Sequence, residues 1–204
     1  EREIVRSQLH VVSPEIGSVE DYIRVIDHSG FFEVTNLSAD DAKRNEMYKE
    51  NAKRAKLEAS FDNYGDHLKS LEMKGTIKGF EPIYMDRIAQ LSNKSNQFNL
   101  TTRRYTRAEI EEIAGSDEYI DIYGKVEDKF GDNGVVSVVI GHKNGDVLDM
   151  DLWIMRCRVL KRDMEFAMMD ELVAECQKRG ITEIYGYYYP TAKNAMVKDF
   201  YGLQ

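Results

Sequence analysis

The sequence predicts an α/β (α+β) fold, a mixed and mainly antiparallel sheet flanked by helices and preceded by a helical appendage. Three observations carry that expectation. Apolar stretches at 119–126, 135–140 and 147–159 follow one another closely, and Lys143-Asn-Gly145 between the last two is a type I′ hairpin signal. The third stretch runs directly into an amphipathic helix at 163–179, stopped by Gly180. A further strand at 181–189 returns after that helix, which makes it parallel to the strand that precedes the helix.

The other elements follow in chain order. Residues 1–36 are the least coherent, with a short helix or strand from Ile4 to Val12 broken by Pro14 and Gly17. Ser18-Val-Glu-Asp21 caps a helix over Tyr22, Ile23, Val25 and Ile26 that Gly30 ends. This segment has no core of its own and reads as the tail of a domain lying upstream. Residues 37–74 predict a helical linker. Ser38-Ala-Asp-Asp41 opens a charged helix to Ser60 whose narrow apolar stripe is Met47, Tyr48, Ala52, Ala55 and Leu57. A second helix at 64–73 folds back on it.

Residues 75–204 form the main domain. A strand at 76–80 leads to a helix begun by Pro82, with Ile83, Ile88 and Leu91 on one face. Thr106-Arg-Ala-Glu109 is a capping box opening a helix through Ile110 and Ile113 to Gly115. After the three strands, the long helix and the returning strand, a last helix covers 192–202.

Composition narrows the function classes. With 204 residues the chain can bury one good core, and a net charge of −8 argues against a broad nucleic-acid footprint. Two cysteines, Cys157 and Cys176, make no disulfide framework and fit a reducing cytoplasm. No apolar run approaches the roughly 18–20 residues of a membrane span, and no signal peptide opens the chain. Neither nucleic acid nor membrane is expected as a partner. His10, His28, His67 and His142 make no metal-ligand spacing with the cysteines, so no metal is expected.

The turn after the third strand, Arg158-Val-Leu-Lys161-Arg162-Asp163, brings a strand straight into a helix N-terminus. Free backbone N–H groups and the positive helix end suit a phosphate there. The element order β-α-α-β-β-β-α-β-α resembles that of GCN5-related N-acetyltransferases (GNAT). In that superfamily an acyl-pantetheine arm enters a gap between the fourth and fifth strands. Its pyrophosphate turn reads Gln/Arg-x-x-Gly-x-Gly/Ala. Here Arg158 matches, and Lys161 and Asp163 stand where the glycines do. Asp163 brings a carboxylate to a dianion site unless Lys161 and Arg162 compensate, and it equally reads as an ordinary helix cap.

Longer blocks resemble FkbH-like proteins, of the HAD superfamily subfamily IIIC. They are Arg87-Ile-Ala-Gln-Leu-Ser-Asn-Lys94-Ser-Asn96-Gln97-Phe-Asn99-Leu-Thr101-Thr102-Arg103-Arg104-Tyr105, Asp128-Lys-Phe-Gly-Asp132-Asn-Gly134, Trp153-Ile-Met-Arg-Cys157-Arg158-Val-Leu, and Pro190-Thr-Ala-Lys193-Asn194-Ala-Met-Val-Lys-Asp-Phe-Tyr201. That resemblance implies a GNAT-like domain joined to an upstream HAD-like domain. The implied reaction leaves a glyceryl or similar hydroxyacyl group on the pantetheine thiol of an acyl carrier protein. The implied cofactor is the phosphopantetheine of that carrier, or coenzyme A. The implied partners are the carrier protein and the HAD-like domain. That half needs an Asp-x-Asp motif; Asp149-Met-Asp151 is the near match, and it reads as alternating residues on a strand's solvent face. The sequence is therefore expected to be a fragment without the dephosphorylating half. A superfamily member would also add strands after Gln204.

Candidate site residues follow. Cys157 is an acyl-accepting nucleophile helped by Arg156 and Arg158, or a small apolar residue on a buried strand. Asn194 and Tyr201, seven apart, share a face of the last helix. By the resemblance Asn194 would bind the pantetheine side and Tyr201 would act as general acid, while packing and capping are the plain readings for Tyr201, Lys193 and Asn194. The run Lys94, Asn96, Gln97, Asn99, Thr101, Thr102, Arg103 and Arg104 is the densest polar stretch. Its amides and hydroxyls suit a polyol chain and its arginines a carboxylate or phosphate. A self-bonded loop of Asx turns is the other reading. A non-catalytic module that docks a carrier protein is the alternative to an enzyme, with Lys161 and Arg162 meeting the carrier's acidic surface.

Overall fold

Five strands make one sheet in chain order, β1 (Lys74–Lys78), β2 (Tyr119–Asp128), β3 (Gly131–Asn144), β4 (Val147–Met155) and β5 (Glu183–Tyr185). The first three pairings are antiparallel and β4 with β5 is parallel, as expected from the helix between them. The computed structural model describes residues 2–9, 11–31 and 44–203. The chain divides into two units, 1–46 and 47–204.

The first unit holds α1 (Arg2–Gln8) and α2 (Tyr22–His28), and Gly30 at φ +64° follows the end of α2. The helix cap expected at Ser38 to Asp41 lies outside the described residues, as does His10. Helix α3 (Arg44–Glu58) bridges the unit boundary. The second unit contributes α4 (Tyr64–Ser70), α5 (Met85–Lys94), α6 (Arg107–Ala114) and α7 (Met164–Lys178). The expected apolar stripe does not anchor α3: Tyr48, Ala52 and Ala55 are exposed, and the buried residue is Arg54. Its guanidinium makes a bidentate pair with Asp128, at 2.7 and 2.8 Å. Ile83, expected on the buried face of its helix, is exposed in a short 3-10 turn before α5, and Met85, Ile88, Ala89 and Leu91 take the burial. The Thr106/Glu109 capping box is present in full at α6.

The two sheet faces build two cores. On one, Ile120, Ile122, Val139, Met150 and Trp153 pack against Met164, Met168 and Leu172 of α7. On the other, Val135, Val138, Ile140, Leu152 and Ile154 meet Ile88, Leu91, Ile110 and Ile113 of α5 and α6. Gly124 lets α7 approach, since a Cβ there would lie 2.2 Å from Met164 Cε.

A single inserted residue decides which face the end of β4 serves. Ile140 pairs with Leu152 and Gly141 with Met150, which leaves Asp151 as the extra residue of a β-bulge. Leu148 and Met150 belong to the α7 core before it, and Trp153 and Met155 belong to the same core after it. Without the bulge the two-residue period would have turned Trp153 to the other face.

Several expected boundaries are corrected. The β3–β4 turn is centred one residue later, on Gly145 and Asp146, with only Gly145 at positive φ (+67°), which is the sign pattern of a II′ turn rather than I′. Strand β4 ends at Met155, and Cys157–Val159 is a 3-10 turn. The last helix is absent and two 3-10 turns, Ala195–Val197 and Phe200–Leu203, replace it. Side chains compete for the backbone there: Asn194 Oδ1 accepts from the Thr191 amide at 2.7 Å, and Thr191 Oγ1 accepts from the amides of Lys193 and Asn194.

Candidate functional site

The parting of β4 from β5 is the centre of the site. Only 147–149 of β4 pair with 183–185 of β5. Beyond Asp149 the strands separate, and residues 98–100 lie against the second half of β4. Leu100 N donates to Trp153 O and Met155 N to Phe98 O, both at 3.2 Å, bracketing an antiparallel bridge between Asn99 and Ile154. On the far side Asn194 Nδ2 donates to Asn99 O at 2.9 Å and Tyr189 O at 3.0 Å, and Tyr189 N donates to Leu100 O at 2.8 Å. The gap expected to take an acyl arm thus holds a three-residue strand of the chain itself.

The polar loop carrying that strand is largely bonded to itself and to β4. Thr101 Oγ1 donates to the carbonyl of the bulged Asp151 at 2.6 Å, and Arg103 pairs with the Asp151 carboxylate at 2.6 Å. Asn99, buried, accepts the Thr102 amide at 2.8 Å, which holds Thr102 at φ +61°. Arg104 donates to Ser92 O, to Ser95 O and to Asn96 Oδ1. Lys94 and Gln97 are exposed. The density of amides and hydroxyls therefore serves loop architecture first, and the side-chain edges left outward are few.

Asp149 and Asp151 are not two equivalent residues on one solvent face. Asp149 accepts the Tyr187 hydroxyl at 2.5 Å, while Asp151 is the bulge residue. Burial pushes Asp151 up, the Arg103 charge countering only part of it. Among the described residues no group of three His, Cys, Asp or Glu side chains could hold a metal ion.

Beneath residues 98–100 is an aromatic cluster. Phe200 meets Trp153 edge-on at 4.8 Å between centroids and Phe98 at 5.0 Å, and Tyr201 lies 6.4 Å from Trp153. Trp153 is fully buried, and its Nε1–H has no hydrogen-bond partner within the protein; the buried Tyr201 hydroxyl has no well-formed one, only a weak contact with the Tyr187 backbone. A buried donor left unpaired is costly, so such groups mark places where a ligand atom or water belongs. Tyr201 reaches this position because Gly186 makes room: a Cβ there would sit 2.6 Å from Tyr201 Cζ. Burial pushes the Tyr201 phenol up, the Tyr187 backbone offsetting little, so it stays protonated at neutral pH. Asn194 and Tyr201 do not share a helix face; Asn194 is the fully buried clamp described above, and Lys193 is exposed beside it.

The turn after β4 is the second part of the site. Lys161 and Asp163 hold φ of +65° and +61°, the left-handed conformation that glycine adopts freely. Asp163 stands at the N-cap of α7, yet its side chain makes no capping bond, which corrects the plain capping reading. The Lys161 carbonyl accepts the Tyr64 hydroxyl at 2.5 Å. Arg162 is turned inward, 3.3 Å from Asp128. Burial lowers the Arg162 guanidinium, with the Arg54 charge adding to it and Asp128 opposing. Arg158 lies over the Tyr48 ring, 4.9 Å from its centroid. Cys157 is exposed, not on a buried strand face, and Arg156 donates to Asn133 O at 3.1 Å.

Sequence reasoning passed over Trp153 as a site residue, although it is the chain's single tryptophan and lies in one of the family-like blocks. It also passed over Arg54 and Asp128, because a contact across 74 residues leaves no local periodicity.

No family model matches the chain, and no curated protein matches it. The FkbH-like and HAD resemblance therefore has no counterpart in these comparisons. Solved structures do align. The ribosomal-protein-S18-alanine N-acetyltransferase from Escherichia coli is 13% identical over 64% of this chain and 76% of its own, with a TM-score of 0.46. AAC(6')-Iy, in complex with a bisubstrate analog, is 10% identical over 64% and 88%, with a TM-score of 0.49. Ard1 from Thermoplasma volcanium is 16% identical over 63% and 80%, with a TM-score of 0.46. The likeness is one of chain path alone.

Proposed function

We propose that this chain is an acyltransferase-like domain that works on the thioester end of a pantetheine arm, with a glyceryl or similar hydroxyacyl group as cargo and an acyl carrier protein as partner. Coenzyme A is the second arm-bearing candidate, and a HAD-like domain would supply the dephosphorylating half of the reaction. The observation that carries the reading is the bulged β4 parting from β5 over two buried polar groups, the Trp153 Nε1–H with no partner in the protein and the Tyr201 hydroxyl with only a weak contact to the Tyr187 backbone. In the reaction the pantetheine sulfur attacks the acyl carbonyl carbon and a C–S bond forms. The bond to the donor's leaving group breaks. Tyr201 gives that group its phenolic proton and takes the thiol proton in return. The outward turn residues Arg158 and Lys161, with Arg162 behind them, form the basic corner for a phosphate or an acidic carrier surface.

A second reading, a docking module without catalysis, is favoured by one observation: residues 98–100 already hold the β4 edge that the arm would use. Calorimetric titration with a carrier protein, with and without its arm, separates the two. Binding that requires the arm supports acyl transfer, and equal binding supports docking. Tyr201→Phe should then lower single-turnover transfer about a hundredfold, within the range of a lost general acid. It should leave thermal stability unchanged or slightly higher, because it removes a buried hydroxyl that has no well-formed hydrogen bond. Undiminished transfer would remove Tyr201 from the mechanism.

A further inference from the structure

Residues 98–100 behave as an edge-filling strand without belonging to the sheet's own order. They occupy the backbone groups Trp153 O and Met155 N, and three anchors hold them: Thr101 on the Asp151 carbonyl, Asn194 on Asn99 O, and Tyr189 N on Leu100 O. Each anchor is a hydrogen bond that opening the loop would break, and none is a covalent or metal tie. The Phe98 ring covers Phe200, which in turn covers Trp153. Lifting 98–100 would free the edge of β4 and strip the Phe98 ring from Phe200, the ring packed on the Trp153 indole whose N–H has no partner in the protein.

We infer that residues 98–100 are an internal competitor: an extended, amide-bearing arm binds by replacing them along Trp153 and Met155, and Trp153 Nε1–H then donates to a carbonyl oxygen of that arm. This rests on the acyl-arm reading above and adds to it a self-closed resting form and a new binding residue. An amide-bearing chain is the fitting class because the vacated groups are one carbonyl and one N–H spaced for a β-strand. Arm affinity is then set by the fraction of molecules with the segment lifted.

Thr101→Val keeps the side-chain shape and removes one anchor. Amide exchange at Leu100 and Met155 should quicken, and binding of a pantetheine-loaded carrier protein should tighten about fivefold, the equivalent of one hydrogen bond. Asn99→Cys with Ile154→Cys supplies the converse. These residues face each other across an antiparallel bridge, so a disulfide should pin the segment, abolish arm binding when oxidised and restore it on reduction. Trp153→Phe should weaken arm binding without altering Leu100 exchange. Arm binding that leaves Leu100 and Met155 protected, or persists in the oxidised pair, overturns the competitor while the acyl-arm reading stands. Faster exchange in Thr101→Val with no arm binding by any variant overturns the acyl-arm reading itself, and the competitor with it.

Discussion

The polar loop at 95–105 and the basic turn at 158–163 both adjoin the second half of β4, and they solve opposite problems. In the loop the side chains satisfy one another: Asn99, Thr101, Arg103 and Arg104 are bonded to loop backbone or to the bulge. In the turn the backbone keeps a glycine-like course with Lys161 and Asp163 in it, and the Asp163 side chain does not cap α7. Many polar residues in a row thus make a wedge, whereas a few at strained positions leave backbone donors at a helix end. Crowding of polar residues in sequence and availability of polar atoms in space are separate quantities.

The contrast breaks most visibly where the turn is rooted. Asp128→Ala leaves Arg54 and Arg162 buried without their carboxylate and should cost about 3–5 kcal/mol, read from chemical denaturation. The same pair has a pH signature. Burial acts to raise Asp128, but hydrogen bonds from Arg54 and the Phe130 amide and the two arginine charges outweigh it and hold the carboxyl below the usual range. A depressed carboxyl contributes stability that is complete above its unfolded value of about 3.9 and lost as pH falls through the folded one. Wild type should therefore lose stability below about pH 4 more steeply than Asp128→Ala does.

On the loop side the expected effect is next in size. Asn194→Ala unseats a fully buried amide that bonds Thr191 N, Asn99 O and Tyr189 O, and should cost about 2–3 kcal/mol in a thermal melt. The smallest change should be a gain. Lys161→Gly or Asp163→Gly relieves a left-handed residue and should stabilise by about 0.5–1 kcal/mol after glycine's own entropy cost. A loss at either position would mean that those side chains hold the turn in a way their conformation conceals.

The sequence supports these elements unevenly. Closely spaced apolar stretches placed β2, β3 and the start of β4, a capping box placed the start of α6, and glycine stops placed the ends of α6 and α7, because those signals are local. The capping box at Thr106 needed nothing beyond four residues. What alternation could not supply was the bulge, since Asp151 reads as an ordinary strand residue until its neighbours across the sheet are known. The last helix was misread because Asn194 and Thr191 look compatible with a helix start, while in the fold their side chains take the backbone groups that the helix would use. Of the candidate site residues, Tyr201 and Asn194 meet the parting of the strands by different routes from the shared helix face expected of them. Trp153 was visible only as part of a motif; its unsatisfied N–H is a property of packing.

The bulge at Asp151 works as a frame shift in three dimensions. One extra residue shifts the count midway along the strand, and Leu148 and Met150 before it serve the same core as Trp153 and Met155 after it. Deleting Asp151 would remove the bulge and still leave Leu148, Met150, Trp153 and Met155 on one face, now by the plain two-residue period. The same deletion would remove the carbonyl that Thr101 grips and the carboxylate that Arg103 meets. Side-chain phase would therefore outlive the residue while loop anchorage would not: a single codon carries the carbonyl and the carboxylate that Thr101 and Arg103 use.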